Sequence, residues 1–302
     1  LSYHRNIAGV VHGLVNRNAS SEGGLRSGDI LELLSWMSDY YKSIDENFHL
    51  TKEDLEPQLI DAIQEGHLIA KFAEESSKKV SEWIGNLVRN EVSTFQSRRA
   101  LPDIDADDRF YSVAVIDLCR IVKQTMETAA VAGRLVLLQR VSGETLRAVV
   151  ELYVGSLQKA VEGEFNRPQQ QQQSNNQPYL DEHVIAFANG ALRWLAFSGE
   201  LVEELNLAGD DVVMKHFKQA NDAFLGFSKR CCDLLTVSVM RTCKPATSGL
   251  LQPGDYFKKP GSLVRTLEAT LGDYLADWRL RCDPFLLGKI TVDLVDRTVC
   301  AY

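Results

Sequence analysis

The acidic run DIDADD at residues 103–108 has the residue type and spacing that could hold a calcium ion. Its alternate carboxylates match the first three ligand spacings of a calcium-binding loop: Asp103, Asp105 and Asp107. Such a loop also needs a glycine for its sharp turn and a closing glutamate, but these positions are Asp108 and Ala114. The run therefore fails as a calcium loop, and a favourable interaction with a helix N-terminus is a sufficient reason for its charge.

Two pairs of adjacent aspartates raise a second possibility, an all-helical enzyme that grips a diphosphate through Mg²⁺. That chemistry needs the pattern Asp-Asp-x-x-Asp on one helix face. The two pairs are Asp107-Asp108 and Asp210-Asp211, and the third carboxylate is replaced by Tyr111 and Met214, respectively. Two carboxylates without the third make a weak metal cage, so neither pair predicts a metal site.

The histidines and candidate nucleophiles show no catalytic pattern. None of the six histidines belongs to a His-x-x-x-His pair or stands beside a cysteine pair: His4, His12, His49, His67, His183 and His216. The sequence has no phosphate-binding Gly-rich motif and no G-x-S-x-G elbow. We therefore predict no catalytic, cofactor-binding or metal-binding residues and no cofactor. A Ser–His–Asp site assembled across helices stays open as an alternative.

Basic pairs are the remaining functional candidates, because Lys and Arg can contact acidic lipid headgroups. They are scattered along the chain: Lys78-Lys79, Arg98-Arg99, Lys258-Lys259, and Arg279 with Arg281. Solvated helix faces and helix C-termini account for the same residues. The net charge of −8 argues against nucleic acid as a partner.

The elements that position these residues are predicted to be helices almost throughout. At 302 residues, with 45% hydrophobic and 25% charged content, the chain has a globular composition and a length that suits two domains or one extended one. Apolar residues recur at separations of three and four, without alternation over strand length. No apolar run is long enough to cross a bilayer. The six cysteines form no C-x-x-C pair, which predicts reduced thiols in a cytosolic protein.

The segment at residues 26–44 carries several aromatic residues on a predicted amphipathic helix. Its apolar residues share one broad stripe: Ile30, Leu33, Leu34, Met37, Tyr40, Tyr41 and Ile44. Aromatic side chains at helical spacing are usually core residues, so we expect Trp36, Tyr40 and Tyr41 to seal one layer of a helical bundle. On that interpretation Trp36→Ala costs about 3–5 kcal/mol as a core truncation.

The predicted fold class is all-α, an elongated rod of stacked antiparallel helical bundles. One long helix is predicted over about 107–140 and a shorter one over about 142–165. The predicted domains are a first helical bundle over 1–166, a Gln-rich flexible loop over 167–178, and a second helical bundle over 179–302 that is truncated at the C-terminus. The start without Met and the end in an apolar run indicate a fragment.

Three segments carry a resemblance to a known family: YHRNI, SGDILELLSWMSDYY and DPFLLGKITVDLVDRTVCAY, at residues 3–7, 27–41 and 283–302. Together with the long helix pair, their order resembles the C-terminal half of exocyst complex component 3, the Sec-six subunit, a vesicle-tethering family of helical rods. The resemblance spans most of the chain, and its motifs are packing patterns. The glutamine-rich insertion departs from the family pattern.

The resemblance implies a non-enzymatic scaffold subunit of the exocyst, which tethers secretory vesicles to the plasma membrane before SNARE-mediated fusion. It implies helical bundles with coiled-coil-type packing, and a cytoplasmic protein peripherally associated with the plasma membrane at secretion sites. Its implied partners are other exocyst subunits, plasma-membrane SNAREs and Sec-one/Munc-type regulators. The alternatives are a peripheral module that binds acidic lipid and an all-helical enzyme.

Overall fold

The computed structural model describes residues 2–19, 24–166, 179–250 and 260–301. The Gln-rich segment 167–178 and the pair Lys258-Lys259 lie outside these residues. The helices in chain order are α1 (Ser2–Ala19), α2 (Ser27–Phe48), α3 (Ala62–Ser97), α4 (Val113–Val131), α5 (Leu135–Ala148), α6 (Gly155–Phe165), α7 (Leu180–Glu204), α8 (Asp211–Leu250), α9 (Pro260–Arg281) and α10 (Pro284–Ala301). A 3₁₀ turn covers Lys52–Asp54, and a π-helical turn, Val149–Val154, joins α5 to α6. The predicted all-α class is confirmed.

The described residues fall into two compact units that interleave along the sequence. The first unit comprises Leu1–Ile84, Arg120–Val149 and Leu201–Phe217, and the second comprises Gly85–Cys119, Val150–Glu200 and Lys218–Tyr302. This division differs from the consecutive bundles expected from the sequence. The boundary at the Gln-rich segment stays a prediction about how the chain divides into folding units.

The first unit is built around the inward stripes of α1 and α2. On α2 the residues Ile30, Leu34 and Met37 are fully buried, and they follow one another at separations of four and three, which places them on one helix face. Burial of each such side chain contributes roughly 1.5–3 kcal/mol relative to leaving it in water. The apolar stripe predicted from the sequence therefore does pack α2 into the unit. Only the row Ile30, Leu34 and Met37 is fully buried, and the adjacent row with Leu33 and Tyr40 is partly exposed.

A sharp turn between α4 and α5 breaks the helix predicted over 107–140. Gly133 has φ of +62°, a conformation that favours glycine, and a Cβ at this position would lie 3.1 Å from the hydroxyl of Ser38. Arg134 follows and ties the turn to the unit, because its guanidinium donates to Ser38 Oγ at 2.6 Å and pairs with Glu65 at 2.5 Å. The expectation of one continuous helix here is wrong, and Gly133 is the reason.

The second unit has an aromatic core and a buried ion pair. Trp194 on α7 stacks on Phe224 of α8, with centroids 4.7 Å apart, and its indole N–H donates to Asn221 Oδ1 at 3.0 Å. In the same unit, Arg98 donates to Glu164 at 2.8 Å, and both side chains are at least 95% buried. A charge in such a site requires its partner.

The second unit also contains a short β-hairpin whose two strands have two residues each. The sequence pattern does not predict these strands. Strand β1 (Asp103–Ile104) pairs antiparallel with β2 (Phe110–Tyr111). Among the residues that the structure describes, no helix is both long and apolar enough to cross a lipid bilayer.

Candidate interaction surface

The acidic run that resembled a calcium loop forms the turn of this hairpin. Asp105 Oδ1 accepts the backbone N–H groups of Asp107 at 2.9 Å and Arg109 at 3.0 Å, which is how an aspartate stabilises a tight turn. Arg109 then pairs with Asp283 at 2.7 Å. The Asp105 carboxylate therefore serves the turn, and Arg109 connects the turn to the residue that precedes α10. The interaction with a helix N-terminus that the sequence suggested is replaced by this turn.

The second aspartate pair caps a helix. Asp210 Oδ1 accepts the N–H groups of Val212 and Val213 at 3.0 and 3.1 Å, at the start of α8, and Gln139 donates to its other oxygen at 2.9 Å. Burial opposes ionisation of Asp210, but these hydrogen bonds hold its pKa below the ordinary value. Across the described ranges no three His, Cys, Asp or Glu side chains converge as a metal site.

Three of the six histidines hold backbone segments together. His4 Nε2 donates to the carbonyl of Pro57 at 2.7 Å, and His12 Nε2 lies 3.0 Å from the carbonyl of Gln58. His183 contacts the carbonyl of Ala100 at 3.1 Å, and burial lowers the pKa of its imidazole. These are packing roles rather than a site for proton transfer.

The basic pairs considered as candidate contacts for acidic lipid are partly used inside the fold. Arg98 belongs to the buried pair with Glu164, and Arg281 donates to the carbonyl of Asp108 at 2.9 Å. Lys78 pairs with Glu74 at 2.8 Å on the surface of α3. These contacts satisfy three of the basic side chains within the protein, which gives no support to a lipid-binding patch made from them.

Most of the cysteines are buried and pack inside the fold. All six are free thiols, and the buried ones are Cys231, Cys232, Cys243 and Cys282. Burial raises the pKa of Cys282 and Cys119 to about 12 and that of Cys232 to about 11, so these thiols stay protonated at neutral pH. Cys300 on α10 is exposed.

Two exposed surfaces could bind a partner, and the more apolar one lies in the first unit. A groove of about 390 Å³ runs between α1 and α2, lined by Asn6, Ile7, Val10, Val11, Leu14, Leu33 and Trp36. Trp36 is 42% exposed and Val10 is 64% exposed. The expectation that Trp36 is sealed in the core is wrong, because no described element covers the outer half of the α1 and α2 stripes.

The ring of Trp36 is nevertheless held in place from one side. It stacks on Tyr40 with centroids 5.4 Å apart, and Tyr40 in turn stacks on His4 at 5.9 Å. Because His4 Nε2 donates to the Pro57 carbonyl, its Nδ1 accepts the Tyr40 hydroxyl proton at 3.0 Å. Burial, then the neighbouring Tyr41 and Tyr3, raises the pKa of Tyr40, so this hydroxyl keeps its proton.

The second surface lies in the second unit and has mixed charge. A groove of about 450 Å³ lies beside the π-helical turn, with Val154 and Phe227 among its apolar residues and Asp222, Lys229 and Arg230 among its charged ones. Arg230 already pairs with Glu162 at 2.9 Å. Since both signs of charge are present and one is internally paired, the groove favours no single class of ligand.

Comparison with known proteins decides the family. The sequence model described as Sec6, exocyst complex component Sec6, matches residues 2–302. The chain belongs to the Sec6 family. The exocyst complex component sec6 of Schizosaccharomyces pombe is 23% identical over 255 residues, which cover 82% of this chain and 33% of that protein. This chain thus spans about a third of the length of its yeast relative, and the resemblance read from the three sequence segments is confirmed.

Two solved structures share the fold of this Sec6 chain. The crystal structure of the C-terminal domain of the exocyst subunit Sec6p has a TM-score of 0.69 and 16% identity, and the match covers 80% of this chain and 64% of that one. The crystal structure of M-Sec has a TM-score of 0.71 and 17% identity, with 99% and 48% covered. At these identities the likeness shows a common helical architecture.

Sequence reasoning missed the groove, although one signal could have found it. On α1 the buried residues Ala8, Val11 and Val15 adjoin a second apolar row. That outer row comprises Tyr3, Ile7, Val10 and Leu14, so the apolar arc of α1 is wider than one neighbouring helix can cover. An arc of that width on a helix at the edge of a bundle indicates a surface that another element can occupy.

Proposed function

We propose that this Sec6 chain is part of a non-enzymatic scaffold subunit of the exocyst, which tethers secretory vesicles to the plasma membrane before SNARE-mediated fusion. The observation that carries the proposal is the family match over residues 2–302. The scaffold works through protein contacts along its helical surfaces. The carboxylates of Asp105 and Asp210 and the imidazole of His4 support this interpretation, since they serve a turn, a helix cap and a backbone contact.

The proposed partners are other exocyst subunits, plasma-membrane SNAREs and regulators of the Sec1/Munc type. In this role the protein is cytoplasmic and associates peripherally with the plasma membrane at sites of secretion. An apolar groove that bears an exposed tryptophan supports partner binding in general, because tryptophan is enriched among the residues that dominate binding energy at protein interfaces.

Affinity purification of the full-length protein tests the proposal. We expect the other exocyst subunits to co-purify in fixed stoichiometry, and acute depletion of the protein to leave secretory vesicles near the plasma membrane without fusion. Recovery of the protein free of exocyst subunits under gentle, low-salt lysis would overturn the proposal.

Flotation with liposomes separates this function from the lipid-binding alternative. The full-length protein is mixed with neutral vesicles and with vesicles that contain phosphatidylserine. We expect the same weak recovery with both compositions, because Arg98 and Arg281 are engaged within the protein. Strong flotation that requires the acidic lipid would favour the peripheral lipid-binding module instead.

A further inference from the structure

We propose that the groove between α1 and α2 binds an amphipathic helix of another exocyst subunit, and that this helix carries Lys or Arg along the edge next to α2. The proposal deepens and rests on the proposed function, because it takes its partner from the exocyst. It names the surface and the chemistry of the partner, which neither the family match nor the fold supplies.

The spacing of the exposed and half-buried apolar residues beside the groove fits a helix. Tyr3, Ile7, Val10 and Leu14 follow one another on α1 at separations of four, three and four, and Leu33, Trp36 and Tyr40 on α2 at separations of three and four. Both rows therefore run along their helix axes, and the channel between them is straight. From Tyr3 to Leu14 the row is roughly 17 Å long at 1.5 Å per residue, which is about three helical turns. A third helix packed into this channel would complete a bundle layer.

Trp36 gives the groove a preorganised anchor. Its ring lies on Tyr40, which is fixed by stacking and a hydrogen bond to His4, and His4 is fixed by the Pro57 carbonyl. A partner therefore meets an indole whose rotamer is already restricted, so that less side-chain entropy is lost on binding. A large aromatic side chain held in this way is the type of residue that dominates helix-in-groove recognition.

Charge distinguishes the two edges of the groove. On α2 the exposed residues Glu32 and Asp39 lie along the outer side of the Leu33–Trp36 row, and among the described residues neither forms an ion pair with Lys or Arg. Asp29 lies at the N-terminal end of the row, where its carboxylate accepts the backbone N–H of Arg26 at 2.9 Å. On α1 the outer edge of the groove, which includes Asn6 and Gly13, carries no charged side chain between Ser2 and Asn16. The charged residue in this range lies on another face of the helix. A helix with cations on one edge alone matches this asymmetry.

The same carboxylates disfavour the two rival occupants. Acidic lipid headgroups would be repelled by Asp29, Glu32 and Asp39, so insertion of Trp36 and Val10 into an anionic membrane is opposed at its border. A second copy of this chain, packed groove to groove about a two-fold axis, would present the same acidic edge. The groove is therefore suited to a basic helix rather than to a membrane or to itself.

Photo-crosslinking in the assembled complex identifies the occupant. A photoreactive residue is placed at Val10 in the groove and, as a matched control, at Asp45, which is exposed on the opposite side of α2. We expect Val10 to capture one helical segment of another exocyst subunit, with an apolar face and Lys or Arg on one edge, and Asp45 to capture none. Crosslinks from Val10 to lipid, to a second copy, to another part of the same polypeptide, or to nothing would overturn the proposal.

Two peptides test the charge requirement directly on the full-length protein. One is a fifteen-residue helical peptide with leucines at heptad a and d positions and Lys along one edge, and the other has Glu in place of Lys. Fluorescence anisotropy should show the Lys peptide binding at least about tenfold more tightly at low salt, and the difference should shrink as salt is added. Equal affinities for the two peptides would contradict the proposal.

Variants then locate the binding to the groove. Trp36→Ala should weaken the Lys peptide at least about thirtyfold, as expected for a central aromatic anchor. The double variant Glu32→Lys/Asp39→Lys should reverse the preference between the two peptides, whereas Asp45→Lys/Glu53→Lys, an equal charge change at exposed positions outside the groove, should not. Circular dichroism of each variant establishes that the fold is intact, and an intact charge variant that keeps the original preference would refute the assignment.

The outcomes also separate this inference from the proposed function. If the other exocyst subunits co-purify with the full-length protein but the Val10 probe and the charge variants give negative results, the groove assignment fails and the scaffold role stands. If exocyst subunits do not co-purify at all, the scaffold role itself fails.

Discussion

Trp36 in the first unit and Trp194 in the second occupy similar sequence patterns and opposite environments. Both lie on amphipathic helices next to further aromatic residues, and each stacks on one of them: Trp36 on Tyr40 and Trp194 on Phe224. Trp194 is fully buried and its indole N–H is hydrogen-bonded to Asn221, whereas Trp36 is 42% exposed. The difference comes from the elements that surround the two helices.

This contrast shows that an apolar stripe identifies the side chains that a helix could bury. It does not show whether another element of the chain packs against them. The face of α7 that bears Trp194 is covered by α8, which brings Phe224 and Asn221 to it. Among the described residues, α1 is the element beside the outer row of α2, and α1 leaves its own outer row open. The two tryptophans therefore differ in whether a described helix covers them.

Among the variants that test the difference between Trp36 and Trp194, Trp194→Ala is expected to have the largest effect on stability. Removing a fully buried indole leaves a cavity, and the loss of packing should cost about 3–5 kcal/mol of unfolding free energy. Urea or thermal denaturation followed by circular dichroism measures the loss. Trp194→Phe serves as the control and should lose less; a Trp194→Ala protein as stable as wild type would show that the site is not packed as described.

The buried ion pair of the second unit should give the next largest effect. Glu164→Ala removes the carboxylate that pairs with Arg98, whose side chain is 5% exposed, and we expect a loss of about 3 kcal/mol for breaking this buried pair. The double variant Arg98→Met/Glu164→Leu removes both charges and should recover most of the stability. Equal stabilities for Glu164→Ala and the double variant would contradict this account.

Trp36→Ala, the counterpart of the first variant, should cost only about 1–2 kcal/mol, because part of its ring is already in water. This value replaces the 3–5 kcal/mol expected from sequence, where the residue was assigned to the core. Denaturation under the same conditions as for Trp194→Ala allows the two losses of unfolding free energy to be compared directly. A loss as large as that of Trp194→Ala would mean that the groove is closed in solution.

The smallest effect concerns Asp181 at the start of α7 and depends on pH. Burial, with a contribution from Glu182, raises the pKa of its carboxyl to about 7. The native state then binds this proton more strongly than the unfolded state, so the stability associated with Asp181 falls as pH rises from about 4 to 7 and stays low above that. Asp181→Asn should therefore be more stable than wild type at pH 8, by an amount on the order of 1 kcal/mol.

Comparing the two proteins at each pH removes the opposite contribution of His183, whose lowered pKa makes stability fall as pH decreases. We expect the advantage of Asp181→Asn to shrink toward zero near pH 4.5. Glu182→Gln is the control for loss of a charge in the same turn. An advantage that is the same at pH 5 and pH 8 would exclude titration of Asp181 as its cause.

Much of the helical framework could be predicted from sequence, because separations of three and four between apolar residues depend only on the helix itself. The buried positions Ile30, Leu34 and Met37 follow from that periodicity. The break at Gly133 was missed because a lone glycine is tolerated within many helices, and only the approach of Ser38 and Arg134 makes it a turn.

The candidate site was beyond sequence reasoning for a different physical reason. Whether Trp36 is covered depends on contacts between elements distant in the chain, and a single helix contains no information about them. The role of Asp105 in a hairpin was missed in the same way, because the pairing of β1 with β2 depends on contacts that the run DIDADD does not encode. Tertiary contacts decided both outcomes.

The thiols described above make the protein convenient for fluorescence. Five cysteines are shielded or hold their protons at neutral pH, while Cys300 faces solvent on α10. Of the six thiols of this chain, a maleimide dye should therefore attach preferentially at Cys300. A single dye there would let microscopists follow individual molecules as they arrive at and leave the cell cortex, and energy transfer from it would report distances to labelled neighbours.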